Sequence, residues 1–291
     1  MPGTLGFDAS PADVRAIWEA NAAKWPNIGP PWRPSPGDVD LYRRFSGSKL
    51  PGRTLLLGAT PELRDLLAEH ATTMPHPVIV DQSPRMLVAM ASLAKLARPD
   101  RERWHIADWC EDEANCASCD LVLADMVWWT MSTARQSALR DRIATMLAPG
   151  GLFVSRFRFR DPRRVEDDPQ AVITRHLRRF DADRANEQAL RDAMLSHLYD
   201  ITVDVEGQRM NRERTRALIA SRSETEPDAE LRRFLDVAAT RLIGANWTSQ
   251  TREEVLPVLL ERFSVVAEAT ASDYDAGQYP IIALRKRTAL A

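Results

Sequence analysis

Cysteine is scarce in this sequence: three residues, Cys110, Cys116 and Cys119, all lie in one short stretch. An odd, clustered set of thiols excludes the disulfide framework that staples small secreted domains. Cys116 and Cys119 form a C-x-x-C with His105 upstream, but no second such pair exists to complete a zinc site. They are read as free thiols in a loop, and no metal is expected. Long apolar runs are also missing, and none approaches the roughly 20 residues of a membrane span. The opening MPGTLGFDAS lacks the basic-then-apolar pattern of an export signal. A cytoplasmic location without membrane contact is the expectation. Neither sign of charge dominates, since 39 basic and 41 acidic side chains leave a net −2. No global field therefore draws the chain to nucleic acid.

What is present fits a soluble domain able to bury a large core, with 44% hydrophobic residues among 291. The first fifty residues are rich in Trp and Pro. Ser10-Pro11 opens a helix over residues 12–23, and NIGPPWRPSPGD then reads as irregular. From residue 53 short apolar runs alternate with helical periodicity, as in βαβ units around a parallel sheet. TLLLG (54–58) is a strand followed by a helix over 62–71, and PVIVD (77–81) a second followed by a helix over 84–97. RWHIAD (103–108) and CDLVLAD (119–125) are the third and fourth. Ser132 caps a helix reaching residue 148, and the turn Pro149-Gly150-Gly151 enters LFVSRF (152–157), the fifth. Residues 161–244 are mostly helical and Arg-rich, interrupted by a β-like ITVDV (201–205). RFSVVAEA (262–269) and QYPIIALRKR (278–287) form an antiparallel hairpin that completes the sheet.

The expected fold is doubly wound α/β with a mostly parallel seven-stranded sheet. A helical lid segment covers residues 1–50, a ligand-binding core 51–160, a helical insertion 161–250, and a C-terminal helix and hairpin 251–291. In such sheets ligands bind outside the carboxyl ends of the strands. Strand one ends in Gly58-Ala59-Thr60, where glycine admits close approach to the backbone. Strand two ends in Asp81, a carboxylate able to accept from both hydroxyls of a ribose. Strand three ends in Asp108-Trp109, an acceptor for an adenine amine beside a flat apolar face. Strand four ends in Asp125. Each has a plainer reading; Asp81, for example, could merely cap the helix that starts near Pro84. Four polar residues at four successive strand ends are, however, more than core packing requires.

The order LLLGATPEL, VIVD, IADW, CDLVLAD and LAPGGLFV, over roughly residues 50–160, resembles the class I S-adenosylmethionine-dependent methyltransferases. The resemblance implies their Rossmann-like fold, with strand seven inserted antiparallel, and their cofactor S-adenosyl-L-methionine. It puts the methionine moiety over Gly58, Ala59 and Thr60, the ribose on Asp81, and the adenine on Asp108 and Trp109. Gln82 and Met86 flank the adenosine, and Asp125 lies near the transferred group. The family's G-x-G-x-G is replaced by Gly58, Thr60 and Glu62. That G-x-T-P-E loop, behind KWPNIGPPWRPSPGDVDLYRRF, looks like a bacterial methyltransferase subgroup with this substitution. The Thr60 hydroxyl and the first helix amides would there hold the carboxylate.

Methyl transfer asks the protein mainly to align an acceptor and exclude water. A small molecule methylated on oxygen or nitrogen is the expected substrate. Trp25, Trp32, Trp128 and Trp129 would line its pocket, and Arg156 would grip a carboxylate or phosphate on it. Trp18 and Tyr42 belong to the same lid segment, although Trp18 serves equally well as an anchor for the N-terminus. Asp125 is the candidate base, ahead of His176 and His197 on the insertion. Two alternatives stay open. One is a non-catalytic scaffold, suggested by the altered loop. The other is an NAD-dependent oxidoreductase, which needs G-x-G-x-x-G where this chain has G-A-T-P-E-L. No nucleic-acid partner is expected, and a monomer and a homodimer are equally compatible with the sequence.

Overall fold

The computed structural model describes residues 11–22, 24–50, 52–70, 75–111, 118–206, 208–240 and 247–287. Cys116 of the C-x-x-C and the expected cap residue Ser10 lie outside them. Two helices, α1 (Pro11–Ala22) and α2 (Pro36–Ser46), precede the sheet. β1 (Thr54–Leu57), α3 (Pro61–Ala68), β2 (Val78–Asp81), α4 (Pro84–Leu93) and β3 (Arg103–Ile106) form its first half. β4 (Cys119–Asp125), α5 (Thr133–Met146) and β5 (Leu147–Arg156) follow. Four helices then run in succession: α6 (Pro169–Ala182), α7 (Glu187–Ile201), α8 (Arg212–Thr225) and α9 (Ala229–Thr240). The chain ends with α10 (Arg252–Leu260), β6 (Phe263–Ala269) and β7 (Ile281–Lys286).

One seven-stranded sheet results, in the order β3-β2-β1-β4-β5-β7-β6. The first five strands are mutually parallel, whereas β7 pairs antiparallel with both β5 and β6. Alternate side chains on each strand enter two different cores, as the period of two requires. Leu55, Leu57, Val80, Val122 and Ala124 face one core with α5 and α10, while Leu56, Ile79, Leu121, Leu123 and Val154 face the other with α2, α3 and α4. The continuous apolar runs are thus the mark of a sheet covered on both sides. A third core joins α6–α9 to Met126, Trp129, Trp247 and Tyr279, placing this helical layer over the carboxyl end of β4.

Several boundaries differ from the sequence reading, for local reasons. The irregular Pro-rich stretch ends early, because Ser35 and Asp38 form a capping box around Pro36 that starts α2. α4 stops at Leu93 rather than residue 97. There the Asp65 carboxylate accepts from the amides of Lys95, Leu96 and Ala97 at 2.7–3.0 Å and draws the chain out of the helix. β5 begins at Leu147, so the Pro-Gly-Gly turn becomes an irregularity within the strand, with Gly150 at φ +72°. ITVDV is not a strand: α7 runs through Ile201, and only Asp204 makes an isolated bridge, to Arg209. Ser132 is the cap residue of α5, but its hydroxyl makes no capping hydrogen bond.

Candidate active site

A cleft of about 980 Å³, its open mouth included, lies at the carboxyl ends of β1, β2 and β4. Its floor is built by the loop after β1. Gly58 adopts φ +87°, a left-handed conformation in which a Cβ is strained, and its amide donates to Val80 O at 2.8 Å. Pro61 starts α3, and Thr60 caps it without using its side chain, which leaves the hydroxyl uncommitted at the helix N-terminus. Glu62, in the first turn, is partly buried; that burial raises its pKa, and it pairs with Arg33 from the N-terminal segment. Its second oxygen, Oε2, is buried without a hydrogen-bond partner.

Asp81 ends β2. Its Oδ1 accepts from the Ser83 amide at 2.8 Å, while Oδ2 accepts from none of the described residues. Burial pushes its pKa up to about 6, with the Ser83 bond opposing and Glu19 adding to the rise. The helix cap at this point is Ser83, whose hydroxyl accepts from the Met86 amide at 3.2 Å. Asp108 and Trp109 form the adjoining wall. The indole N–H of Trp109 donates to Val80 O at 2.9 Å, so its ring stands close to Gly58. Asp108 Oδ1 accepts from the Cys110 amide at 3.0 Å and forms an ion pair with Arg135.

β4 ends in Asp125-Met126, and Met126 lies at φ +53°, an outlier for a side chain of this size. That turn sends Val127 and Trp128 into the core under the sheet and Met126 and Trp129 to the helical layer. Asp125 stands in register with Arg156 of β5. The fully buried Arg156 guanidinium donates to both Asp125 oxygens, from Nε at 2.8 Å and Nη2 at 3.0 Å. Its Nη1 donates to Asp38 at 2.8 Å and to Tyr274 Oη at 3.1 Å. Tyr42 completes the cluster: its hydroxyl donates to Ala124 O at 2.6 Å and accepts from the Arg156 amide at 2.8 Å. Burial raises the Asp38 pKa, and Arg156 opposes that rise.

Gly58, Ala59, Thr60, Asp81, Gln82, Met86, Asp108, Trp109 and Asp125 all line this one cleft, as do Trp25, Trp32 and Trp129. Two expected substrate contacts do not. Trp128 packs against Phe157 in the core beneath the sheet. Arg156 has no exposed surface and its guanidinium is committed to carboxylates, so it cannot grip an acceptor. Asp125 reaches the cleft with both oxygens already bonded to the Arg156 guanidinium. His197 pairs with Asp167 at 2.6 Å, and His176, its pKa lowered to about 3 by burial, packs beside it; neither lines the cleft. Trp18, Leu57, Met90, Ala107, Met126, Val127, Thr130, Met131 and Arg135 complete the lining. Arg135 carried a signal in the sequence. A cation in the first turn of a helix opposes the macrodipole, and Asp108 supplies its reason.

The chain matches no protein-family model, and comparison with curated protein sequences gives no match. Solved structures are similar across nearly the whole fold. One is a protein from Rhodobacter sphaeroides bearing the name of a Zn-dependent alcohol dehydrogenase, with TM-score 0.58, 16% identity, and 96% of this chain and 100% of that one covered. Another is the 1,6-didemethyltoxoflavin-N1-methyltransferase of Burkholderia thailandensis, holding 1,6-didemethyltoxoflavin and S-adenosylhomocysteine, at TM-score 0.51 and 14% identity over 99% and 94% of the two chains. The N-methyltransferase NodS of Bradyrhizobium japonicum with S-adenosylhomocysteine gives 0.50 and 13% over 95% and 100%. At these identities the likeness is one of fold. The dinucleotide-binding sheet runs 3-2-1-4-5-6 with parallel strands. Here an antiparallel β7 lies between β5 and β6. This is the class I methyltransferase fold. Within it, no three His, Cys, Asp or Glu side chains of the described residues gather to hold a metal. Nor is any described helix long and apolar enough to cross a membrane.

Proposed function

We propose that the chain is an S-adenosylmethionine-dependent methyltransferase acting on a small-molecule acceptor, at oxygen or nitrogen. The observation that carries this reading is Asp81. It is a buried carboxylate at the end of β2 with one oxygen left open beside a glycine that permits close approach. Two vicinal hydroxyls donating to it would relieve the burial that raises its pKa. Met86 and Trp109 would enclose an adenine ring, and Asp108 would accept from its amine. The Thr60 hydroxyl at the N-terminus of α3 suits a carboxylate, in a variant G-x-T-P-E loop. When bound, the cofactor supplies a methyl group on a cationic sulfur, an electrophile that needs no activation by the protein. The cleft residues then have to align the acceptor's lone pair with that methyl group, and the acceptor's proton would pass to water at the open mouth of the cleft.

Calorimetry with S-adenosylhomocysteine tests the reading: binding supports it, and its absence together with stabilisation by NAD would overturn it. One observation favours a second reading, a binding protein without turnover. Of the described carboxylates lining the cleft, Asp108 and Asp125 are ion-paired with arginines and Asp81 alone is not, and no described imidazole lines it. Transfer of a labelled methyl group to any member of a metabolite panel would remove that reading.

A further inference from the structure

The cleft is rich in indoles. Trp18, Trp25, Trp32 and Trp129 all line it. Trp32 stacks on Trp129 with centroids 5.4 Å apart and planes 17° from parallel. Trp18 stacks on Trp247 at 5.6 Å and 13°, and Trp129 meets Trp247 at 4.5 Å. Trp32, Trp129, Trp247 and Trp18 therefore form one connected run of rings, of which all but Trp247 line the cleft, and their flat faces favour a planar partner in offset stacking.

The charges around this wall are already matched. Both Asp125 oxygens are held by Arg156, and Asp108 is paired with Arg135. One lining indole already carries a cation: the Arg158 guanidinium lies 5.9 Å from the Trp129 ring centre. An aromatic cage for an ammonium group needs electron-rich faces without a competing cation, and this wall lacks that property. A charged acceptor would lose its hydration and gain no counter-charge. The lining also holds one unpartnered donor. Trp25 is buried and its indole Nε1–H has no hydrogen-bond partner. A ring nitrogen or carbonyl oxygen on a bound molecule would accept from it.

We infer that the acceptor is a neutral, planar heteroaromatic molecule bearing a hydrogen-bond acceptor atom. This inference deepens the methyltransferase reading and rests on it. It is tested with three probes titrated calorimetrically into protein saturated with S-adenosylhomocysteine at neutral pH. Quinoline is planar, uncharged and an acceptor; N-methylquinolinium has the same shape with a positive charge; cyclohexanone is a neutral acceptor that is not flat. Quinoline is expected to bind about tenfold more tightly than either control, an effect of the size that stacking supplies. Equal or tighter binding of either control overturns the inference. Trp32→Ala should weaken quinoline about tenfold while S-adenosylhomocysteine binding stays within about twofold. Unchanged quinoline binding in that variant also overturns it. Should Trp32→Ala not fold, Trp25→Phe keeps a ring and removes the donor. It should weaken quinoline about threefold, and no change there removes the hydrogen bond from the inference. Failure of S-adenosylhomocysteine to bind the unmodified protein is a different result, because it overturns the methyltransferase reading itself.

Discussion

Asp81 keeps one carboxylate oxygen on the Ser83 amide and turns the other to the cleft, and burial lifts its pKa from 3.8 to about 6. Between those values the folded chain holds a proton that the unfolded chain has released. The destabilisation therefore grows as pH rises from 3.8 to about 6 and is complete above it. Asp81→Asn removes the charge and keeps the shape. It should raise stability at neutral pH by about 1–3 kcal/mol in urea unfolding and lower S-adenosylhomocysteine affinity by at least about 1.5 kcal/mol. A variant that folds better and binds worse marks a residue kept for its ligand; unchanged affinity would reduce Asp81 to a turn-former. Arg156 is the opposite case. Arg156→Met leaves Asp38 and Asp125 buried without their cation, and should cost about 3–5 kcal/mol of stability in the same measurement. A loss below about 1 kcal/mol would mean that water reaches the cluster.

At the scale of elements, α1 meets the cleft at Trp18 and its neighbouring helix α4 at Glu19. Glu19 accepts from the Ser83 hydroxyl at 2.6 Å, one turn from the Asp81 carboxylate. A ligand filling the cleft should therefore slow amide hydrogen exchange in α1 and at the start of α4, and leave β6 unchanged. Equal exchange in α1 with and without S-adenosylhomocysteine would show that this helix plays no part in closure. The strands and their polar ends were legible because a sheet covered on both faces writes continuous apolar runs, and because Asp81, Asp108 and Asp125 interrupt those runs at their carboxyl ends. Arg156 and Trp128 were misread for a shared reason. Burial of a long polar side chain, and the face chosen by a ring after a backbone at φ +53°, depend on partners far away in sequence. Asp38 lies 118 positions from Arg156, and no local pattern announces that contact. The early stop of α4 hid for the same reason, since Asp65 sits about thirty residues before the amides it holds.

For the whole molecule, ligand binding and folding are linked by mass action. S-adenosylhomocysteine at a hundred times its dissociation constant should add about 2.7 kcal/mol to the unfolding free energy, visible as a rise in Tm that grows with the logarithm of concentration. NAD at the same concentration should leave Tm unmoved. The Arg156 cluster has a bearing on how this state is reached. Asp38 near one end of the described chain and Tyr274 near the other are 236 positions apart, and both meet at one guanidinium behind the cleft. Contacts between remote segments carry the largest loop-closure entropy and tend to form late. During refolding from urea, helical circular dichroism should therefore recover before the capacity to bind S-adenosylhomocysteine. A chain still being made, with residue 274 not yet joined, would have most of its sheet in place and no finished site, so competence to bind reports that both ends have arrived.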